Sequence, residues 1–140
     1  MKQILCFGDS NTWGYDGESR KRLPWGKRWT SLLQEKFDSE KPSALTKKAV
    51  TARIIEEGLC GRTTIFEDPL REGRRGTALL PTLLETHEGI DAVILMLGTN
   101  DCKTVFGASA EVIGMGITRL LEQIQRYAPK ARVLLISPIY

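Results

Sequence analysis

Three short stretches carry residue types that together can open an acyl bond. In Phe7-Gly8-Asp9-Ser10-Asn11-Thr12-Trp13-Gly14 a serine follows an apolar run and a glycine. Glycine permits a tight turn, and such a turn can lift a hydroxyl off the rim of a sheet, the logic of a strand-to-helix nucleophile turn. The pattern is not Gly-x-Ser-x-Gly, because Thr12 stands at the second glycine's place. The plain alternative is a serine capping the next segment. In Gly58-Leu59-Cys60-Gly61-Arg62-Thr63-Thr64 two glycines let the backbone approach a ligand, and the Gly61 N–H can donate to an oxyanion. The alternative is an ordinary glycine-rich turn. In Gly98-Thr99-Asn100-Asp101 an Asn amide directly follows an apolar run. Mounted there it can stabilise a tetrahedral acyl intermediate, or it closes an Asx turn. Jointly the three stretches supply a nucleophile and two oxyanion donors.

Elements must bring them together. Ile4–Phe7, about Thr51 to Glu56, Ala92–Leu97 and Arg132–Ser137 read as strands, weakest where Arg53 interrupts. Apolar residues at helical spacing mark helices from about Arg28 to Phe37 and from about Ser109 to Tyr127. Leu79–Leu84 suggests a short helix, with Pro81 placed in or near its first turn. Asp9–Lys27 and Gly58–Gly76 read as long loops. Strands alternating with helices predict an α/β fold with a parallel sheet covered on both faces, and ligands beyond the carboxyl ends of the strands. With strand order 2-1-3-4, Ser10 and Asn100 face each other across the switch point.

The chain resembles the SGNH (GDSL-type) hydrolase superfamily of esterases and acylhydrolases. Gly8-Asp9-Ser10-Asn11 is similar to its first block, Gly61-Arg62-Thr63 to its second and Gly98-Thr99-Asn100-Asp101 to its third. Glu56-Glu57-Gly58-Leu59, Arg62-Thr63-Thr64 and Met96-Leu97-Gly98-Thr99-Asn100-Asp101 resemble the arylesterase-like branch. The resemblance implies a flavodoxin-like three-layer α/β/α fold with sheet order 2-1-3-4-5. It also implies hydrolysis of carboxylic esters without metal or cofactor. Ser10 would be the nucleophile, with the Gly61 N–H, the Asn100 amide and the Ser10 N–H as oxyanion donors. Asp9 and Trp13 are the candidate substrate-binding residues.

The resemblance further implies a fourth block, Asp-x-x-His, whose histidine is the general base. The sequence contains no Asp-x-x-His, and its one histidine is His87. His87 precedes the Ala92 strand, so the connection is expected to hold it at the end opposite Ser10. Residues 1–140 are thus expected to form a single SGNH-like domain lacking the catalytic Asp-x-x-His block and the fifth strand. A serine without its base is a weak nucleophile, and loss of one triad member leaves only about 10³–10⁴ over water. Esterase activity of this chain is expected to be very weak or absent. The apolar ending Pro138-Ile139-Tyr140 fits a fragment of a longer protein. Val133–Ile136 would then be an uncovered edge that invites pairing with another chain, as in a homo-oligomer.

Composition narrows the alternatives. The 140 residues are 41% hydrophobic and 26% charged, as in an ordinary globular protein. A net charge of +3, scattered along the chain, argues against a nucleic-acid binder. No apolar run approaches the ~18–20 residues of a membrane span. Three cysteines without a secretion signal read as reduced, cytoplasmic thiols, best placed as small buried hydrophobes; Cys60 and Cys102 neighbour the second and third motifs. Arg20, Lys21, Arg22, Lys27 and Arg28 crowd one loop, and Arg71, Arg74 and Arg75 another. They attract acidic substrates or are simply solvated. Trp13 and Trp25 wall an apolar pocket or staple their loop. Two further functions stay open: a non-catalytic binding domain that keeps the pocket, and a phosphate or FMN binder, although the first loop lacks a Gly-Lys pair.

Overall fold

The structure, a computed structural model, describes residues 1–42 and 49–138. Ile139 and Tyr140, part of the apolar ending noted above, lie outside the described residues. Strands β1 (Lys2–Gly8), β2 (Ala52–Gly58), β3 (Ala92–Met96) and β4 (Arg132–Leu135) pair in parallel in the order β2-β1-β3-β4. This is the predicted α/β architecture.

Alternation of side chains along each strand makes the layers. β1 sends Leu5 and Phe7 to one face, where Val93 and Leu95 join them. That face packs beneath Leu80 and Leu84 of α3 (Gly76–Thr86) and Leu120 and Ile124 of α4 (Ala110–Tyr127). Cys6, Ile54 and Ile94 occupy the other face, against Trp29, Leu33 and Phe37 of α2 (Trp29–Ser39). Leu5 and Phe7 are wholly inaccessible. Truncating either to alanine costs roughly 2–5 kcal/mol, since a close-packed core relaxes only partly around the hole.

Three readings are corrected. A four-residue helix, α1 (Ser10–Trp13), occupies the start of the expected long loop. Pro81 lies in the interior of α3, not in its first turn. Proline has no N–H for the carbonyl four residues back, and that carbonyl, on Thr77, instead accepts from Gln123 Nε2 of α4 at 2.8 Å. A neighbouring helix thus satisfies the group that proline orphans. The cysteines also differ from one another. Cys6 is buried, Cys60 half-buried and Cys102 exposed. Burial, and then the charge of Glu56, push the Cys6 thiol up to about 12, which leaves it protonated and inert.

Among the described residues β4 has no strand on its outer side. Val133, Leu134 and Leu135 are 42%, 56% and 48% exposed, so β4 presents an apolar edge. Among the described residues no helix is long and apolar enough to cross a membrane.

Candidate active site

The site begins at two adjoining strand ends. Gly8 and Gly58 are register partners at the carboxyl ends of β1 and β2. A Cβ at Gly8 would stand 2.1 Å from Thr12 Oγ1, and one at Gly58 would stand 2.2 Å from the Trp13 nitrogen. Both positions are glycine because α1 lies directly on this rim. Asp9 makes the turn: its buried carboxylate accepts from the Asn11 N–H at 3.0 Å. Burial raises the Asp9 pKa, and the Asn11 N–H partly offsets the rise. At the far end Gly14, with φ of +92°, returns its N–H to the Ser10 carbonyl. Ser10 stands half-buried as the first residue of α1, and its hydroxyl has no hydrogen-bond partner among the described residues.

Arg62 ties the parts together. Its side chain is buried, with the guanidinium 4.3 Å from the Phe7 ring centre. Nη1 donates to the Gly8 carbonyl at 3.0 Å and to the Glu57 carbonyl, so one fork holds the ends of β1 and β2. Desolvation lowers the Arg62 pKa to about 10, although Glu57 favours its charge. It remains a cation at neutral pH. The Arg62 carbonyl in turn accepts from Asn100 Nδ2 at 3.1 Å. An Asn amide has two N–H donors, so one fixes the Asn100 side chain while the other is left for a ligand. In the sequence Arg62 stands out only as part of a motif; a buried arginine bridging two strand ends leaves no periodic signal.

Asn100 opens a short 3-10 turn after β3. The next residue, Asp101, is fully buried and accepts from both the Thr64 N–H (3.1 Å) and the Thr64 hydroxyl. Burial raises the Asp101 pKa against the pull of those Thr64 bonds. Asp101 therefore fastens the third motif to the second. Gly61, between them, has φ of +83°, and its N–H donates to no backbone carbonyl among the described residues.

Ser10, Trp13, Gly61 and Asn100 line one hollow of about 620 Å³, together with Tyr15, Arg20, Leu59, Cys60, Arg71, Arg74 and Lys103. Asp9 is buried beneath it and not part of its lining. Trp25 also stays outside: it is 54% exposed, with the Arg28 guanidinium 5.4 Å from its ring centre. His87 does not line the hollow either; its Nε2 stands 3.8 Å from Glu57 Oε1. Cys60 reaches the hollow and Cys102 does not. Among the described residues no group of three His, Cys, Asp or Glu side chains is placed to hold a metal ion.

Residues 6–140 match the GDSL-like lipase/acylhydrolase family, and the chain belongs to it. Among solved structures it is similar to a carbohydrate acetylesterase family member from Sinorhizobium meliloti (38% identity, TM-score 0.84). The alignment covers 99% of this chain and 63% of that one. The inhibitor-bound aryl esterase of M. smegmatis is 36% identical with a TM-score of 0.82, over 99% of this chain and 64% of that one. AlinE4, an SGNH-hydrolase family esterase, is 27% identical with a TM-score of 0.67, over 96% of this chain and 57% of that one. This chain thus spans under two-thirds of the length of each of these structures. No curated protein gave a significant match.

Proposed function

We propose that the hollow is the acyl-transfer site of a serine ester hydrolase. Ser10 Oγ attacks the ester carbonyl carbon, the carbonyl oxygen becomes an oxyanion, and its charge is met by the Gly61 N–H, the Ser10 N–H and the free N–H of the Asn100 amide. Collapse expels the alkoxide, which takes up the proton given up by Ser10 and leaves as the alcohol, and an acyl-enzyme remains on Ser10. Water then attacks, releases the acid and restores the hydroxyl. Preorganised donors aimed at the developing charge are worth most in such a site. The observation that carries the reading is the convergence of a hydroxyl, an unbonded main-chain amide and a tethered carboxamide on one hollow.

The proton of Ser10 needs an acceptor. No histidine lines the hollow among the described residues, and the sequence holds no Asp-x-x-His. We therefore expect hydrolysis by this chain to be very weak. The substrates proposed are small carboxylic esters, supported by relatives described as a carbohydrate acetylesterase and an aryl esterase. Initial rates on 4-nitrophenyl acetate test both parts. A small rate that Ser10→Ala removes is expected. An unchanged rate in Ser10→Ala contradicts the nucleophile, and a Ser10-dependent rate of ordinary enzymes, about 10 per second, contradicts the missing base.

A second reading of the same hollow is ligand binding without turnover. A site that holds esters or amides and leaves them intact would support it. Two further expectations stand as proposals. The three free cysteines suit a cytoplasmic protein. The open β4 edge suits pairing with a second copy wherever nothing else covers it.

A further inference from the structure

We propose that the hollow selects esters that also carry a free carboxylate. The inference rests on the ester-hydrolase reading of the same hollow and narrows its substrate class. Among the described residues four cations line the space, Arg20, Arg71, Arg74 and Lys103, and no carboxylate does.

The two basic loops are sorted by the fold. Arg22 and Arg28 both turn to Glu56, at 3.6 Å and 3.2 Å, and Arg75 pairs with Glu67 at 3.3 Å. These ion pairs pin the loops. Arg20, Arg71 and Arg74 come from the same two loops, have no ion pair among the described residues, and face the hollow. Lys103 pairs with Asp68 at 3.4 Å, and Arg71 also lies within that carboxylate's field, so these two add less net charge than Arg20 and Arg74.

Their placement is specific. Arg74 is held by its Nε, which donates to the Cys60 carbonyl at 3.1 Å, beside Gly61. Burial disfavours the Arg62 charge most and Glu57 favours it; the nearby Arg74 charge adds a smaller push in the direction of burial. Arg71 Nη1 lies 2.5 Å from where a Cβ on Gly61 would stand, so the bare glycine makes room for a guanidinium next to the proposed oxyanion donor. Arg20 is the one non-glycine residue with positive φ (57°) among those described. That backbone state is uncommon for a residue with a side chain, and here it belongs to the residue that brings a charge in from the opposite loop.

Guanidinium forks match a carboxylate in two-point contact, and a cleft lined by one sign of charge concentrates the opposite sign. An ester carrying a second, ionised acid group meets this field. A neutral ester of the same size leaves the cations to water.

Binding separates this claim from the chemistry. The probes are 4-acetamidobenzoate and its uncharged isostere 4-acetamidobenzamide, amide analogues that the site cannot readily cleave. Their affinities for the full chain are read by calorimetry. At low ionic strength the carboxylate is expected to bind at least about fivefold tighter, a gap that added salt to ~0.5 M closes to within about twofold. In the double variant R20Q/R71Q, at two exposed positions, the preference is expected to fall to within about twofold with the melting temperature as a folding control. Equal affinities, a preference that survives both salt and the double variant, or no binding of either probe overturns the proposal. A boron NMR titration for a serine adduct, which does not depend on these arginines' preference, tells the two readings apart. An adduct on Ser10 without anion preference sinks only the substrate class. Anion preference without an adduct sinks the esterase.

Discussion

Asn100 has two tasks, and its substitution reports both. One amide proton holds the Arg62 carbonyl, and the other is proposed to meet the oxyanion. In any catalytically competent form, Asn100→Ala is expected to lower kcat by about 10²–10³, or ~2.7–4 kcal/mol. Steady-state kinetics checks this; a fall in kcat smaller than tenfold would remove Asn100 from the oxyanion site. Arg62 acts on position, not on substrate. Arg62→Met deletes the donor shared by the Gly8 and Glu57 carbonyls, and with charged-group bonds worth about 1.5–3 kcal/mol each the expected loss of stability is roughly 3 kcal/mol. Urea unfolding measures it. Asp101 gives a pH signature. Its pKa is raised by burial above the ordinary 3.8, so the folded state binds this proton more tightly than the unfolded state. The stability it contributes is complete below the unfolded pKa and is lost as pH rises through the folded one. Relative to wild type, Asp101→Asn should therefore be most harmful in acid, with the gap in melting temperature narrowing as pH rises above the ordinary carboxylate value of 3.8. A gap that widens with pH would refute the direction.

At the scale of elements, α1 depends on two strand ends that have no side chains. Gly58→Ala sets a Cβ 2.2 Å from backbone at Trp13, which no rotamer can relieve. We expect a lowered melting temperature and loss of whatever Ser10-dependent reactivity the chain has; a fully stable variant would mean α1 can shift freely. This rim was half legible in the sequence. Gly8 announced a turn after an apolar run and Gly58 one after a weaker strand, and the parallel order followed from the alternation of strands and helices. That the two glycines would be register partners under one short helix was not legible, because register comes from tertiary pairing and not from local pattern. Pro81 shows the same limit. Local propensity places it early in a helix, and a single side chain from α4, Gln123, makes its interior position tolerable. If that bond compensates for the proline, Gln123→Ala should cost less stability in a Pro81→Ala background by about 0.5–1 kcal/mol, measured as a double-mutant cycle.

For the whole molecule, the charge of +3 was a poor guide to the field inside the site. Ion pairs to Glu56 and Glu67 hold part of the basic residues in place and leave Arg20, Arg71 and Arg74 to the hollow. Composition cannot show that division, since it depends on which loop residue meets which carboxylate after folding. The edge strand was easier to read, as Val133-Leu134-Leu135 is apolar at the last position of a parallel order. The 140-residue chain is expected to self-associate through it, and Leu134→Lys to shift sedimentation toward monomer, because a charge on an edge opposes pairing. A wild-type chain that sediments as monomer up to high concentration would remove the edge from the account. More local still is the proposed role of Ser10 as a nucleophile facing ready-made oxyanion donors. Boron NMR of the full chain titrated with phenylboronic acid tests it most directly, since a serine adduct turns the boron four-coordinate. We predict a four-coordinate resonance in the wild type that is weakened in Asn100→Ala and absent in Ser10→Ala. No such resonance, or one that persists without the Ser10 hydroxyl, would contradict it.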